Sequence, residues 1–214
     1  MLFRSWSGAM MEAMQARPEL FAVMTNAFAL TPGFEGPEQP AGNEKIFEDD
    51  LNSWSGPFIM AAINSKNLHR SNLLLGHAYG KDFVYDEMQL LGDDPDSESV
   101  GEMFELDMEL KPGEGPSKEQ QQAGFYEIWY IGSNSDGDSL TAIVTGDKDP
   151  GYGSTCGLVA EAAICLSQKP KDKEGGILTP AAAMGAQLRE RVQANAGLSF
   201  SISESLPSAP TIER

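Results

Sequence analysis

The chain has 214 residues and a formal charge of −17, from 32 acidic against 15 basic groups, so its surface repels phosphate backbones and anionic lipid. That balance argues against nucleic acid as a partner and against electrostatic docking on a membrane. With 41% hydrophobic and 22% charged residues it reads as a folded chain able to bury one good core, and no apolar run reaches membrane-spanning length.

In chain order, Ser7–Arg17 reads as a helix, and Pro18 opens a second one over PELFAVMTNAF. No cleavable export signal is read at the start, so a cytoplasmic protein is expected. Thr31–Gly42, rich in Pro and Gly, is a loop. Pro57–Ala62 is read as a buried strand, followed by a helix that starts near Asn64 and stops at Gly76. His77–Leu91 alternates aromatic and polar residues, including Phe83 and Tyr85, and reads as a strand. An acidic stretch, Gly92–Gly101, is expected to be exposed, and Glu102–Leu110 alternates well enough for another strand. A Pro/Gly turn, Lys111–Ser117, precedes a short polar helix, Lys118–Ala123. Phe125–Ile131 and Leu140–Thr145 flank SNSDGD, the pattern of a hairpin.

The stretch Thr145–Gln168 reads as a strand end, a Gly/Pro turn and a helix, with Ser154 or Thr155 expected as its N-cap. Its expected apolar face is Thr155, Leu158, Val159, Ala162 and Leu166. A strand, a glycine turn and a helix start can hold an anion, although this glycine pattern matches no dinucleotide or P-loop motif. Cys156 and Cys165 fall on separate turns of that one helix and cannot bridge each other. Thr179 and Pro180 cap and open a helix over Ala181–Asn195, Leu198–Ile202 is a last strand, and the tail 206–214 frays. The expected fold is α+β, with helices packed on a mixed, largely antiparallel sheet in one domain over residues 1–205.

Few residues carry chemistry. Arg70, in a cationic group with Lys66 and His69, has a fork of donors suited to a phosphate, carboxylate or thioester carbonyl; the plain alternative is an Arg paired to an acid. His69 is expected to be exposed and His77 to lie in a loop. Asn64, Ser71 and Asn72 either hydrogen-bond a ligand or brace the strand-to-helix junction. Tyr79 and Tyr152 are phenols able to donate a proton, or packed rings with wet hydroxyls. No metal-ligand spacing and no covalent-catalysis motif is present, and no catalytic residue is assigned.

Four segments, taken together, resemble the C-terminal half of the saccharopine dehydrogenase-like oxidoreductases, nearest their trans-acting enoyl reductase branch. They hold Asn64 ahead of Arg70-Ser71-Asn72 and Tyr79-Gly80, the P-G-E-G-P turn Pro112–Pro116, the D-P-G-Y-G turn at residues 149–153, and G-G-I-L-T-P-A at residues 175–181. Order and spacing fit from about Ser7 to Phe200. The resemblance implies an NAD(P)-linked reduction of an enoyl or imine-like substrate, with the nicotinamide cofactor held by a Rossmann domain. No strand, glycine loop and helix precede Ser7, so this chain is expected to bind no cofactor alone and to be the substrate-binding and oligomerisation portion of such an enzyme. Its partners would then be a Rossmann domain and further copies of itself. On that reading Asn64, Arg70, Ser71, Asn72, Tyr79 and Tyr152 face substrate, while Pro150, Gly151, Gly153 and Ser154 face the cofactor or partner domain. Two further departures from the family's pattern are His69-Arg70 in place of an arginine pair and an acidic stretch (Asp93, Asp94, Asp96) where relatives carry an apolar, lipid-facing helix. The latter disfavours a peripheral location on a lipid surface. The alternative reading is a non-catalytic homodimeric scaffold derived from such an enzyme.

Overall fold

A computed structural model describes Ala13, Ala16, Arg17 and residues 19–97, 115–168 and 175–206. The expected helix over Ser7–Arg17, the strand over Glu102–Leu110, most of the P-G-E-G-P turn and the tail fall largely or wholly outside those residues. The fold is α+β: helices with two separate three-stranded antiparallel sheets. The chain divides into two compact units, with the boundary between Gly115 and Pro116. Among the described residues no helix is long and apolar enough to cross a membrane.

The N-terminal unit begins with α1 (Glu19–Thr25), shorter than the sequence suggests. β1 (Ile46–Glu48), β2 (Ser53–Pro57) and β3 (Met88–Gly92) form its sheet in that order. The strand expected over Pro57–Ala62 lies earlier in the chain. Pro57 has no N–H to give a ladder and closes β2, and the apolar residues after it enter a turn and then α2 (Ala61–Leu74), which also starts before Asn64. β2 is SWSGP, a poor strand by propensity, and is held by its serines. The fully buried Ser53 hydroxyl accepts from Gly92 N–H at 3.2 Å, and Ser55 donates to Glu48 Oε1 at 2.8 Å. The end of α2 is as expected. Gly76 takes φ 70°, and the N–H groups of Gly76 and His77 return to the carbonyls of Leu73 and Asn72 at 3.0 and 2.7 Å. The strand expected over His77–Leu91 is confined to β3; Phe83 and Tyr85 stand in irregular chain.

The C-terminal unit carries α3 (Lys118–Ala123), closed by a reciprocal capping box between Ser117 and Gln120. The expected hairpin is present as β4 (Tyr126–Ser133) and β5 (Ser139–Gly146), joined on the far side of β5 by β6 (Leu198–Ser203). Pairing places Tyr126, Ile128, Tyr130, Leu140, Ala142, Val144, Leu198, Phe200 and Ile202 on one sheet face, without a charged side chain.

α4 (Gly153–Ser167) and α5 (Pro180–Asn195) pack together around Cys165, Ala183, Val192 and Ala196, all buried. Arg191 pairs with Glu161 at 2.7 Å between the two helices. Both cysteines are free, as their spacing requires. The expected apolar face of α4 is split: Leu158 and Ala162 are half-buried, but Val159 and Leu166 are 64% and 55% exposed. Thr179 caps α5 by accepting from Ala182 N–H, with Pro180 at the first position, as expected. Gly185, at φ 48° and ψ −128°, breaks α5 with a kink that the helical pattern does not announce.

Candidate functional site

α2 carries most of the predicted site residues. Both of its cations, Lys66 and Arg70, donate to backbone carbonyls. Lys66 Nζ donates to the carbonyls of Met24 and Ala62 at 2.5 and 2.6 Å, and Arg70 Nη1 donates to Leu30 O at 3.3 Å. Both therefore tie α2 to the end of α1 and the turn after it. Lys66 is buried enough that desolvation lowers its pKa.

His69 is buried, not exposed as its sequence neighbourhood suggests. Its ring lies against Phe28, centroids 4.4 Å apart, and Phe83 at 5.9 Å. Its Nε2 donates to Gln39 Oε1 at 3.2 Å, an oxygen that also accepts from Tyr85 N–H, and burial lowers the His69 pKa. His77, in the loop as expected, lies 4.3 Å from Phe34. His69 is thus enclosed by phenylalanines from the segment after α1 and from the loop after α2, while half-buried His77 meets Phe34.

Asn64 does not cap α2. Its amide donates to Glu87 Oε1 at 2.9 Å. Burial raises the Glu87 pKa, and hydrogen bonds from Asn64 and Tyr85 oppose that shift only in part. Ser71 donates to the Asn67 carbonyl one turn back at 2.7 Å. Asn72 braces the far end of the helix and not the strand-to-helix junction. Its Nδ2 donates to Gly80 O at 2.7 Å and its Oδ1 accepts from Tyr79 N–H at 2.9 Å. Asn72 and Tyr79 are thereby held together. Tyr79 is 44% exposed, and its ring lies 5.6 Å from that of Phe83 between centroids. Sequence reasoning missed Gln39 and Glu87, since neither stands in a motif and both matter through long-range bonds to α2.

Tyr152 and the turn Pro150–Ser154 lie in the C-terminal unit. The expected Ser154 or Thr155 cap is absent. Tyr152 is the N-cap residue and makes no side-chain cap bond; the Asp149 carboxylate instead accepts from the N–H groups of Gly151 at 2.9 Å and Tyr152 at 3.1 Å in the turn before α4, and of Gly153, its first residue, at 2.5 Å. Ser154 is buried and bonds the Tyr126 hydroxyl at 2.8 Å, while Thr155 donates to Pro150 O. A pyrophosphate placed on this turn would meet a carboxylate where it needs N–H donors, so the turn does not fit that part of a nicotinamide dinucleotide. Among the described residues no group of three or more His, Cys, Asp or Glu could hold a metal ion.

A protein of Mycobacterium tuberculosis carrying the provisional name trans-acting enoyl reductase is 36% identical over 171 residues, covering 69% of this chain and 41% of its own length. A trans-acting enoyl reductase of Mycobacterium bovis is 28% identical over 221 aligned residues, 88% of this chain and 52% of its own. One from Mycobacterium ulcerans is 30% identical over 163 residues, 65% of this chain and 39% of its own. The chain is similar to trans-acting enoyl reductases. It spans between 39% and 52% of the length of these relatives. No family model and no solved structure matches it.

Proposed function

We propose that this chain is the substrate-binding and self-associating portion of an enoyl-reductase-like oxidoreductase of saccharopine dehydrogenase-like ancestry, with the nicotinamide cofactor held by a domain outside it. The observation that carries the reading is the similarity to enoyl reductases over about half their length. Two features of the described residues support it: each strand pair is antiparallel, and the N–H groups of the glycine turn before α4 are taken by the Asp149 carboxylate.

On this reading the substrate side is the exposed end of α2 and the loop after it. Asn72 holds Tyr79 N–H and Gly80 O, so the loop is rigid where the Tyr79 ring reaches solvent. The phenol is placed to hydrogen-bond a thioester carbonyl, and Arg70 keeps α2 and the Leu30 turn in register behind it. Reduction of an enoyl group requires a hydride, which the nicotinamide supplies when bound.

The test is a titration of the 214-residue chain with a short α,β-unsaturated acyl thioester, with NADPH and NADH in parallel. Saturable thioester binding that Tyr79→Phe weakens, with no binding of either nucleotide, is the expected result. Saturable nucleotide binding, or no thioester binding, would overturn the proposal.

A further inference from the structure

We propose that the outer edge of β6 (Leu198–Ser203) is a self-association surface, paired antiparallel with β6 of a second copy of this chain. β6 ends the strand order β4-β5-β6 and pairs with β5 from Leu198 to Ser203 with no register shift. Its other side has no strand neighbour among the described residues. Sheets normally protect such an edge with Lys, Pro, an inward charge or a bulge. LSFSIS contains none of these, in a chain that is 22% charged with a net charge of −17. The edge is therefore a place where two copies can meet without the like-charge repulsion that their acidic surfaces otherwise impose.

The sequence of β6 also complements itself. A two-fold axis through the sheet brings the same face of both copies to the same side, so each residue must meet one of equal parity. Centred on Phe200, the pairing sets Phe200 opposite the partner's Phe200, Leu198 opposite the partner's Ile202, and Ser199 opposite the partner's Ser201. Apolar groups meet apolar groups on one face, and serine meets serine on the other. The next register of equal parity, centred on Ser201, would set Leu198 against the partner's Glu204 and is disfavoured. The pairing extends the uncharged face of Ile128, Leu140, Ala142 and Val144 from three strands to six. Phe200 and Ile202, 37% and 64% exposed in one copy, then lie inside that face and not at its rim. Five paired residues in each copy, Leu198 to Ile202, make a small contact, so the dimer is concentration-dependent and not obligate. The inference names the surface for the self-association in the proposed function but rests on the strand edge alone, and thioester binding tests that function separately.

The experiment is sedimentation velocity over a micromolar to millimolar series of the wild-type chain, Phe200→Lys, Phe200→Glu, and an equal mixture of the two variants. The wild type should pass from monomer to dimer as concentration rises. Each variant alone should stay monomeric, because the two-fold sets identical charges opposite each other. The mixture should recover the dimer, because Lys then faces Glu, and that recovery also shows that both variants fold. A wild type that stays monomeric throughout would overturn the proposal, as would a dimer that survives both substitutions. Loss of the dimer in both variants without recovery in the mixture would overturn the Phe200-centred pairing.

Discussion

Replacing Asp149 by Ala removes one carboxylate that serves three consecutive amides, two in the turn leading into α4 and one at its first residue. Those N–H groups have no acceptor within the helix, so the loss falls on the first turn. An N-cap truncation costs about 0.5–2 kcal/mol, and the favourable placement of negative charge at a helix start adds about 0.3–1 kcal/mol. The two overlap, and a total near about 2 kcal/mol is expected, or roughly 30-fold faster amide exchange in the first turn of α4. Asp149→Asn keeps an acceptor and loses the charge, so it should show about half of that effect. Hydrogen exchange read residue by residue over Gly151–Gly157 is the assay, because it reports the C-terminal unit apart from the other. Unchanged exchange in the Ala variant would refute the assignment of Asp149 as the acceptor that holds the start of α4. Equal losses for Ala and Asn would refute the charge contribution.

Three further outcomes are expected. Gly185→Ala should destabilise the C-terminal unit by about 1–3 kcal/mol, because no neighbour opposes the new methyl and the cost is the backbone angle alone; chemical denaturation measures it. Glu87 has a raised folded pKa, so its contribution is present below the unfolded value and is lost as pH rises through the folded one. Glu87→Gln, which keeps an acceptor for Asn64, should therefore stabilise the N-terminal unit at neutral pH and not in acid, read from melting curves at two pH values. His69 has a lowered folded pKa, so the unfolded chain binds the proton first and stability falls as pH drops below about 6.5. His69→Gln should flatten that limb of the stability–pH curve, whatever its effect at neutral pH.

Much of the local structure is legible in the residues themselves. SNSDGD between two β-rich runs makes the β4–β5 hairpin, and Thr179-Pro180 starts α5, because turn and cap chemistry act within a few residues. Gly76 ends α2 for the same reason. The spacing of Cys156 and Cys165 along one helix is enough to keep them apart. The errors cluster where a partner is distant in sequence. FIMAA is apolar and short, and periodicity does not separate a buried strand from a helix start in such a run. The outcome depended on Pro57 closing β2 and on Ser53 and Ser55 finding partners on β3 and β1.

The residues of the candidate site follow the same division. Sequence alone determined that Asn64, Arg70, Ser71 and Asn72 share one helix and that a turn at Gly151 precedes another, since helix periodicity and glycine turns are local properties. Only the tertiary structure decided what those side chains touch. Arg70 reaches Leu30 O, Asn64 meets Glu87, and His69 is enclosed by Phe28 and Phe83, each contact spanning a separation that no local pattern encodes. The anion site that the Gly151 turn suggested was closed by its neighbour Asp149. A carboxylate there can point outward or fold back on the helix start, and in the folded chain it takes the second course, bonding Gly151 and Gly153 N–H.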